Sequence, residues 1–551
     1  MIKENFIKLY EDSFRANWEL PAVTDYGSAY TYHYGEMATE IARLHLLFED
    51  CGVREGDKIA LVGKDCARWC IVYMAVVTYG AVVVPILQDF NANDIQHIVN
   101  HSDACLLFAG DRNWASLDIR EMPEIQGAFL LSDFSCLYEK EGSRITEFVS
   151  GLDKRMKEAY PAGFSREDVH YIQRGNEEVM VLNYTSGTTG FSKGVMLTGN
   201  NLAGNVTYAM TLDLMFRGDE ELCFLPLAHA YSCAFNLLTP LAVGAHINIL
   251  GKTPSPQILL KAFSDVRPNL IITVPLILEK IYKKVILPQL SKPVMRVAIA
   301  IPGVRELIYR KIRNGLTAAL GGRFCEVIVG GAAMNQEVTD FLHRIGFRFT
   351  IGYGMTECGP LISYDNWRNF VPGSCGQILK DIMDVRIAID HSQDKVGEIQ
   401  VRGENVMQGY YKNPEATAAV FTEDGWLRTG DLGYIDLKKR IYIRGRSKSM
   451  ILSSNGQNIY PEEIESKLNN LPYVQESVVV EKNGKLVALV YPDYEALGQD
   501  NDQEKLLDLM EVNRIELNKQ LAYYEQIVEI RIHPTEFEKT PKKSIKRFLY
   551  E

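Results

Sequence analysis

WCIVYMAVVTYGAVVVPILQ, residues 69 to 88, runs for twenty positions without a formal charge, and its reading decides the fold. About 20 apolar residues is the length that crosses a bilayer. Gly80 and Pro85 cut the stretch in two. The first part suits a buried helix, and AVVVPI (81–86) suits a short β-branched strand. A helix, a glycine and a strand in that order form one unit of a parallel sheet covered on both faces. The stretch is therefore read as buried α/β core, not as a membrane span.

The same pattern repeats on either side. KIALVG (58–63), ACLLFAG (104–110), GAFLLS (127–132), VMVLNYTSG (179–187), HINILG (246–251), LIITVP (270–275) and EVIVGG (326–331) are short β-branched runs between helix-length amphipathic stretches. Such alternation predicts parallel sheets with crossover helices. After EIQVRG (398–403) and GYIDLKKRIYIRGR (433–446) the strands become antiparallel in style. A helix signal, YPEEIESKLNNLP, then precedes two strands, VQESVVVEK and KLVALVYP. The expected fold is α/β: a large amino-terminal domain of parallel-sheet lobes with a β-barrel-like subdomain, residues 1–446, and a small α+β domain, residues 447–551.

Composition bounds the function. The 551 residues are 46% hydrophobic and 23% charged, close to the globular average, which excludes disordered and fibrous classes. A net charge of −11 is opposite in sign to a nucleic-acid binder, so anionic ligands must be held locally. Ten Cys with apolar neighbours, such as Cys70, Cys105 and Cys233, read as reduced core residues of a cytoplasmic protein. Cys66 and Cys70 lack the partners a zinc site needs. Glu4, Glu11 and Asp12 interrupt the apolar run a signal peptide requires, so no export is expected.

The strongest chemical signal is VLNYTSGTTGFSKGVML (181–197). Thr185, Ser186, Thr188 and Thr189 supply hydroxyls, Gly187, Gly190 and Gly194 let backbone N–H groups turn onto an anion, and Lys193 adds a cation. That is the chemistry of a polyphosphate cradle. Gly190, Lys193 and Gly194 do not have Walker A spacing, which disfavours a P-loop NTPase. EVIVGGAAMN (326–335) ends a strand in paired glycines, where backbone could approach a flat ligand. FTIGYGMTECGP (349–360) offers Tyr353 as an aromatic face for a base, with Thr356 and Glu357 beside it. A lone carboxylate next to a polyphosphate commonly holds Mg²⁺. WLRTGDLGYID (426–436) puts Asp431 in a tight turn where it could accept two ribose hydroxyls, although a turn or cap role fits equally.

As an ordered series these segments resemble the adenylate-forming (AMP-binding) superfamily of acyl-CoA synthetases, peptide-synthetase adenylation domains and beetle luciferases, nearly end to end. NIYPEEIE (458–465) and TPKKSIKR (540–547) look most like the long-chain fatty acid–CoA ligases. The resemblance implies that ATP, Mg²⁺ and coenzyme A are used to turn a fatty acid into acyl-adenylate and then acyl-CoA. It also implies the roles of single residues. Thr185, Ser186, Gly187, Thr188, Thr189 and Lys193 would hold the β- and γ-phosphates. Tyr353 would stack on adenine, Gly331 and Ala332 would line it, and Asp431 with Arg446 would hold the ribose. Thr356 would contact the α-phosphate and Glu357 would ligate Mg²⁺. His229, in FLPLAHAYS (224–232), would stand at the acyl entrance, with a pocket drawn from residues 230–235, 274–278 and 330–333. Lys448 matches the hinge, and Ser454, Asn455 and Gly456 fall at the pantetheine channel.

One position departs from the family pattern. The tail usually carries a catalytic Lys where this chain has Ser544, and Lys543 or Lys546 is expected to substitute, with Lys546 favoured. Two alternatives stay open: a ligase for another acid or a carrier-protein thiol, and a binding protein that has lost turnover. Loose peripheral contact with a membrane is compatible with a fatty substrate; acyl chain length and oligomeric state are not legible.

Overall fold

The computed structural model describes residues 2–185, 192–389, 395–452, 458–482, 484–497, 503–540 and 545–550. Its centre is the stretch that opened the sequence reading. Ala67–Tyr79 is a helix buried almost all round, Gly80 reverses the chain at φ +91°, and Val82–Ile86 follows as a fully buried strand. Val82–Ile86 lies parallel to Lys58–Val62 on one side and Val179–Thr185 on the other. Lys58–Val62, Ala104–Ala109 and Gly127–Leu130 continue the parallel run, while Cys136–Glu139 closes one edge and Lys193–Thr198 with Gly409–Tyr410 the other, all antiparallel. Among the described residues no helix is long and apolar enough to cross a membrane.

A second lobe repeats the theme. Glu220–Cys223, His246–Ile249 and Pro21–Asp25 are parallel, with Thr31–His33 antiparallel at the edge. Ile271–Thr273, Val327–Val329 and Phe349–Ile351 form a further parallel sheet. The antiparallel part consists of a three-stranded sheet from Tyr353 to Ile378 and a four-stranded sheet, Met383–Ala388, Gly397–Gly403, Leu427–Ile435 and Ile441–Arg446. A bridge between Gln377 and Arg440 joins the two.

The carboxy-terminal unit has its own core. Val474–Lys482 pairs antiparallel with Lys485–Pro492, which pairs parallel with Ile527–Ile532. Side chains of a strand alternate between faces. Val479, Ala488 and Val490 accordingly pack under the helices with Ile464, Leu468, Met510 and Leu517, whereas Val478, Val480 and Val487 meet Phe537 and the tail on the other face. The described cysteines form no disulfide.

Candidate functional site

The hydroxyl- and glycine-rich motif connects two antiparallel strands. Val179–Thr185 and Lys193–Thr198 form a ladder whose last pair is Thr185 with Lys193. Ser186, Gly187, Thr188 and Thr189 lie outside the described residues. The chain thus returns as a strand where a Walker loop would open a helix, in accord with the missing Walker spacing. The helix Gly199–Met210 starts only after the second strand, with Thr198 capping it through the Asn201 N–H.

Lys193 and Glu357 meet through a residue the sequence reading did not single out. The Tyr410 hydroxyl donates to Glu357 Oε1 at 2.9 Å, and Lys193 Nζ lies 4.9 Å from the centre of the Tyr410 ring. Tyr410 is placed there by a two-residue strand that extends the eight-stranded sheet, opposite Val195. Burial, reinforced by the Glu357 charge, pushes the phenol well above its ordinary range, so it remains a donor. The Met407 N–H donates to the Glu357 carbonyl at 2.8 Å, holding the two segments together.

The second group is Tyr353, Asp431 and Arg446. The Tyr353 hydroxyl donates to Asp431 Oδ2 at 2.5 Å, and Arg446 Nε lies 2.9 Å from Asp431 Oδ1. Asp431 and Arg446 face each other across adjacent strands. Asp431 is 5% exposed. Burial raises its carboxyl above the usual range, with Arg446 and the Tyr353 hydroxyl pulling the other way. A carboxylate has about four lone-pair directions, so two remain for a ligand. The Tyr353 hydroxyl thus ties the short strand Tyr353–Gly354 to the strand Leu427–Ile435 through Asp431.

Buried asparagines position the irregular loops between these groups. Asn205 donates to the Cys358 carbonyl and accepts from the Leu361 N–H. Asn405 donates to the Leu361 carbonyl, and Asn201 to those of Glu404 and Val406. Backbone groups that leave regular structure while buried need such partners. Thr356, itself buried, opens the turn Thr356–Cys358 that these bonds hold.

The three segments expected to build an acyl pocket converge. A Cβ on Gly330 would come within 2.9 Å of the Tyr231 ring, and Val274 is the nearest side chain to Gly331. At the first of the paired glycines it is the protein's own tyrosine that approaches the backbone closely. Gly331, at φ +84°, and Ala332 are exposed. His229 is half-buried and caps the turn Ala230–Ser232, its Nδ1 accepting from the Tyr231 N–H at 3.3 Å. Asn183 anchors that turn by donating to the Ala228 carbonyl at 3.1 Å, two residues before Thr185.

Lys448 is exposed two residues past the strand Ile441–Arg446, and the Ser447 N–H before it donates to the Gly430 carbonyl at 2.9 Å. The carboxy-terminal unit docks beside this point. Glu463 pairs with Arg444 at 2.9 Å, and Asn335 donates to the Ser466 carbonyl and to Asn470. Lys546 pairs with Glu538 at 2.9 Å within its own unit, and among the described residues no contact brings it to Glu357 or Asp431. Arg547 is anchored on Glu465. Lys543, Ser544, Ser454, Asn455 and Gly456 lie outside the described residues. Among the described residues no three His, Cys, Asp or Glu side chains gather as a metal site.

The family model for the AMP-binding enzyme matches residues 10–411, and that for the AMP-binding enzyme C-terminal domain matches residues 448–551. The chain is 28% identical to long-chain-fatty-acid–CoA ligase FadD15 of Mycobacterium tuberculosis, over 93% of this chain and 89% of that one. It is 29% identical to the peroxisomal long chain acyl-CoA synthetase 7 of Arabidopsis thaliana, over 84% and 69%. The fold matches ATP-bound MatB from Rhodopseudomonas palustris with a TM-score of 0.75 at 22% identity, covering 99% of this chain and 98% of that one. It also matches the o-succinylbenzoate CoA synthetase of Bacillus subtilis in complex with its acyl-adenylate, with a TM-score of 0.75 at 20% identity over 100% and 99%. The chain belongs to the AMP-binding enzyme family.

Proposed function

We propose that the protein is an acid–thiol ligase that activates a fatty acid, of long chain, with ATP and transfers the acyl group to coenzyme A. The observation that carries this reading is the pair of clusters, Lys193–Tyr410–Glu357 and Tyr353–Asp431–Arg446, built on the one short segment that runs from Tyr353 into the Thr356–Cys358 turn. A carboxylate is a poor electrophile until one oxygen becomes a leaving group. Its oxygen attacks the α-phosphorus, the bond to the β-phosphate oxygen breaks, and pyrophosphate departs. The thiol then attacks the acyl carbon and gives up its proton, with AMP leaving.

Positioning and charge carry most of such a transfer. Lys193 meets the departing phosphates, Thr356 the α-phosphate, Asp431 and Arg446 the ribose, and Tyr353 with Gly331 and Ala332 the base. His229 stands at the acyl entrance, and Ser454 and Gly456 belong to the coenzyme A channel. One carboxylate without a protein cage suits Mg²⁺, which takes one or two protein oxygens plus phosphates and waters; Glu357 would hold it, and the ion would neutralise phosphate charge. The large domain, residues 1–446, and the small one, 447–551, turn about Lys448 between the two half-reactions, with Lys543 or Lys546 supplying the tail ammonium during the first.

ATP–pyrophosphate exchange across fatty acids of graded length, with aromatic acids as controls, tests the reading. Exchange with long-chain acids and coenzyme A-dependent release of AMP are expected. Exchange confined to aromatic or short acids would replace the substrate, and ATP binding without exchange would remove the activity.

A further inference from the structure

The helix Pro275–Ile281 leaves the Val274 end of the acyl segment and leads into a helical excursion reaching Ala319. This excursion is thinly packed. Pro293–Ala300 has no buried residue at all, and the eighteen-residue helix Pro302–Ala319 buries only Tyr309 and Leu316. Apolar side chains face outward instead: Val294 is 82% exposed and Val297 67%, and Ile301, Val304 and Leu307 continue the series across both helices. Val294 and Val297 stand one turn apart, as do Val304 and Leu307, so each helix presents a ridge.

Charge is the second observation. Residues 275–313 hold nine Lys and Arg against two Glu, within a chain whose net charge is −11. Lys283 and Lys284 turn to the carboxy-terminal unit, at the Asn469 carbonyl and Glu495. Lys280, Lys292, Arg296, Arg305, Arg310 and Lys311 are exposed. Leu307 is followed at i+3 and i+4 by Arg310 and Lys311, so apolar and basic groups share one outward face of that helix. An exposed apolar ridge flanked by cations is the pattern of a helix lying in a membrane interface, its apolar side chains among acyl chains and its cations against anionic headgroups. A protein partner would need no such excess of one charge, and a nucleic acid has no use for the valines.

We infer that the helical excursion 275–319 docks the protein on an anionic lipid surface, with Val294, Val297, Ile301, Val304 and Leu307 inserted and Lys292, Arg296, Arg310 and Lys311 at the headgroups. The docking stands apart from the substrate reading, since it rests on exposure and charge alone. It also sets the acyl segment beginning at Val274 close to the bilayer, where a fatty acid partitions.

The test uses the full chain and sedimentation with vesicles of phosphatidylcholine alone or with about a third phosphatidylglycerol. Partition onto the anionic vesicles, and not the neutral ones, is expected, with release as salt shortens the screening length. Arg310→Glu with Lys311→Glu should weaken partition at least ~25-fold, from about fivefold per basic residue near a charged surface. Val294→Asp, Val297→Asp and Leu307→Asp together should abolish it, while exchange activity with a water-soluble acid and the circular dichroism spectrum stay those of wild type, because these side chains touch no core. Wild type that ignores anionic vesicles, or an aspartate triple variant that binds as before, overturns the proposal. So does a lipid-free dimer in sedimentation velocity that the triple variant dissociates, or equal binding to double-stranded DNA.

Discussion

If Asp431 accepts the ribose hydroxyls, its replacement by Asn must change how the enzyme discriminates nucleotides, not only how fast it works. Both carboxylate oxygens are already engaged, by the Tyr353 hydroxyl at 2.5 Å and Arg446 Nε at 2.9 Å, leaving one lone pair on each for a ligand. A hydrogen bond to a charged acceptor contributes about 1.5–3 kcal/mol. Removing one ribose hydroxyl from the nucleotide should therefore lower wild-type kcat/KM roughly 10- to 150-fold, chiefly through KM because the contact exists before the transition state. Asp431→Asn with ATP itself should lose a similar factor for each bond weakened, on the order of 10² to 10⁴ overall. The decisive comparison is the cycle. With Asn at 431, 2′-deoxy-ATP and 3′-deoxy-ATP should come within about threefold of ATP, because the charged acceptor that distinguished them is gone. Pyrophosphate exchange with each nucleotide, on wild type and variant, supplies the four corners. A variant that rejects the deoxy nucleotides as strongly as wild type would show that Asp431 serves only its protein partners.

Three further outcomes are expected. Tyr410→Phe keeps the ring over Lys193 but removes the donor to Glu357, and should lower kcat/KM by about 5- to 30-fold with a raised Mg²⁺ requirement; Tyr410→Leu also removes the cation–π contact and should cost a further ~3- to 10-fold, both read by exchange at graded Mg²⁺. Glu221, wholly buried with one oxygen on Asn236, has its carboxyl pushed up to about 8 by burial from an ordinary 4.5. Folding must therefore protonate it: the penalty is absent below pH 4.5, grows by about 1.4 kcal/mol per unit up to pH 8 and is constant above, so the stability of Glu221→Gln relative to wild type should be about 3 kcal/mol greater at pH 7 than at pH 4.5. Urea unfolding across that window checks the slope, and a difference independent of pH would refute it. Lys448→Pro should spare adenylation, read as exchange, and impair transfer to coenzyme A, read as thioester formation; equal loss of both would count against rotation about this residue.

Much of the framework was legible because buried parallel strands must be short, β-branched and bounded by turn residues. Val82–Ile86 and Lys485–Pro492 stand where their runs lie, and Gly80 terminates its helix as its freedom at positive φ allows. Asp431 was singled out as a carboxylate in a turn and Arg446 by the family resemblance, but their pairing across adjacent strands shows only in the fold. Tyr410 was not legible, since a strand of two residues has no period to read and its meaning comes from Val195 opposite it. What approaches Gly330 was not legible, because a glycine shows only that something does, and the ring of Tyr231 is about a hundred residues away in sequence. The asparagines behind the Thr356 turn were silent for the same reason: an amide in a helix declares no partner until the chain is folded.

The short strand Gly409–Tyr410 has a second consequence, for solubility. It covers part of the outer edge of the eight-stranded sheet, where Lys193–Thr198 would otherwise present unpaired backbone groups to any other chain. Uncovered strand edges recruit strands from neighbouring molecules and seed aggregation. A substitution that dislodges residues 408–411 therefore removes the Glu357 partner and opens that edge together. Inactive variants from this segment should be scored for aggregation before their loss of turnover is assigned to chemistry.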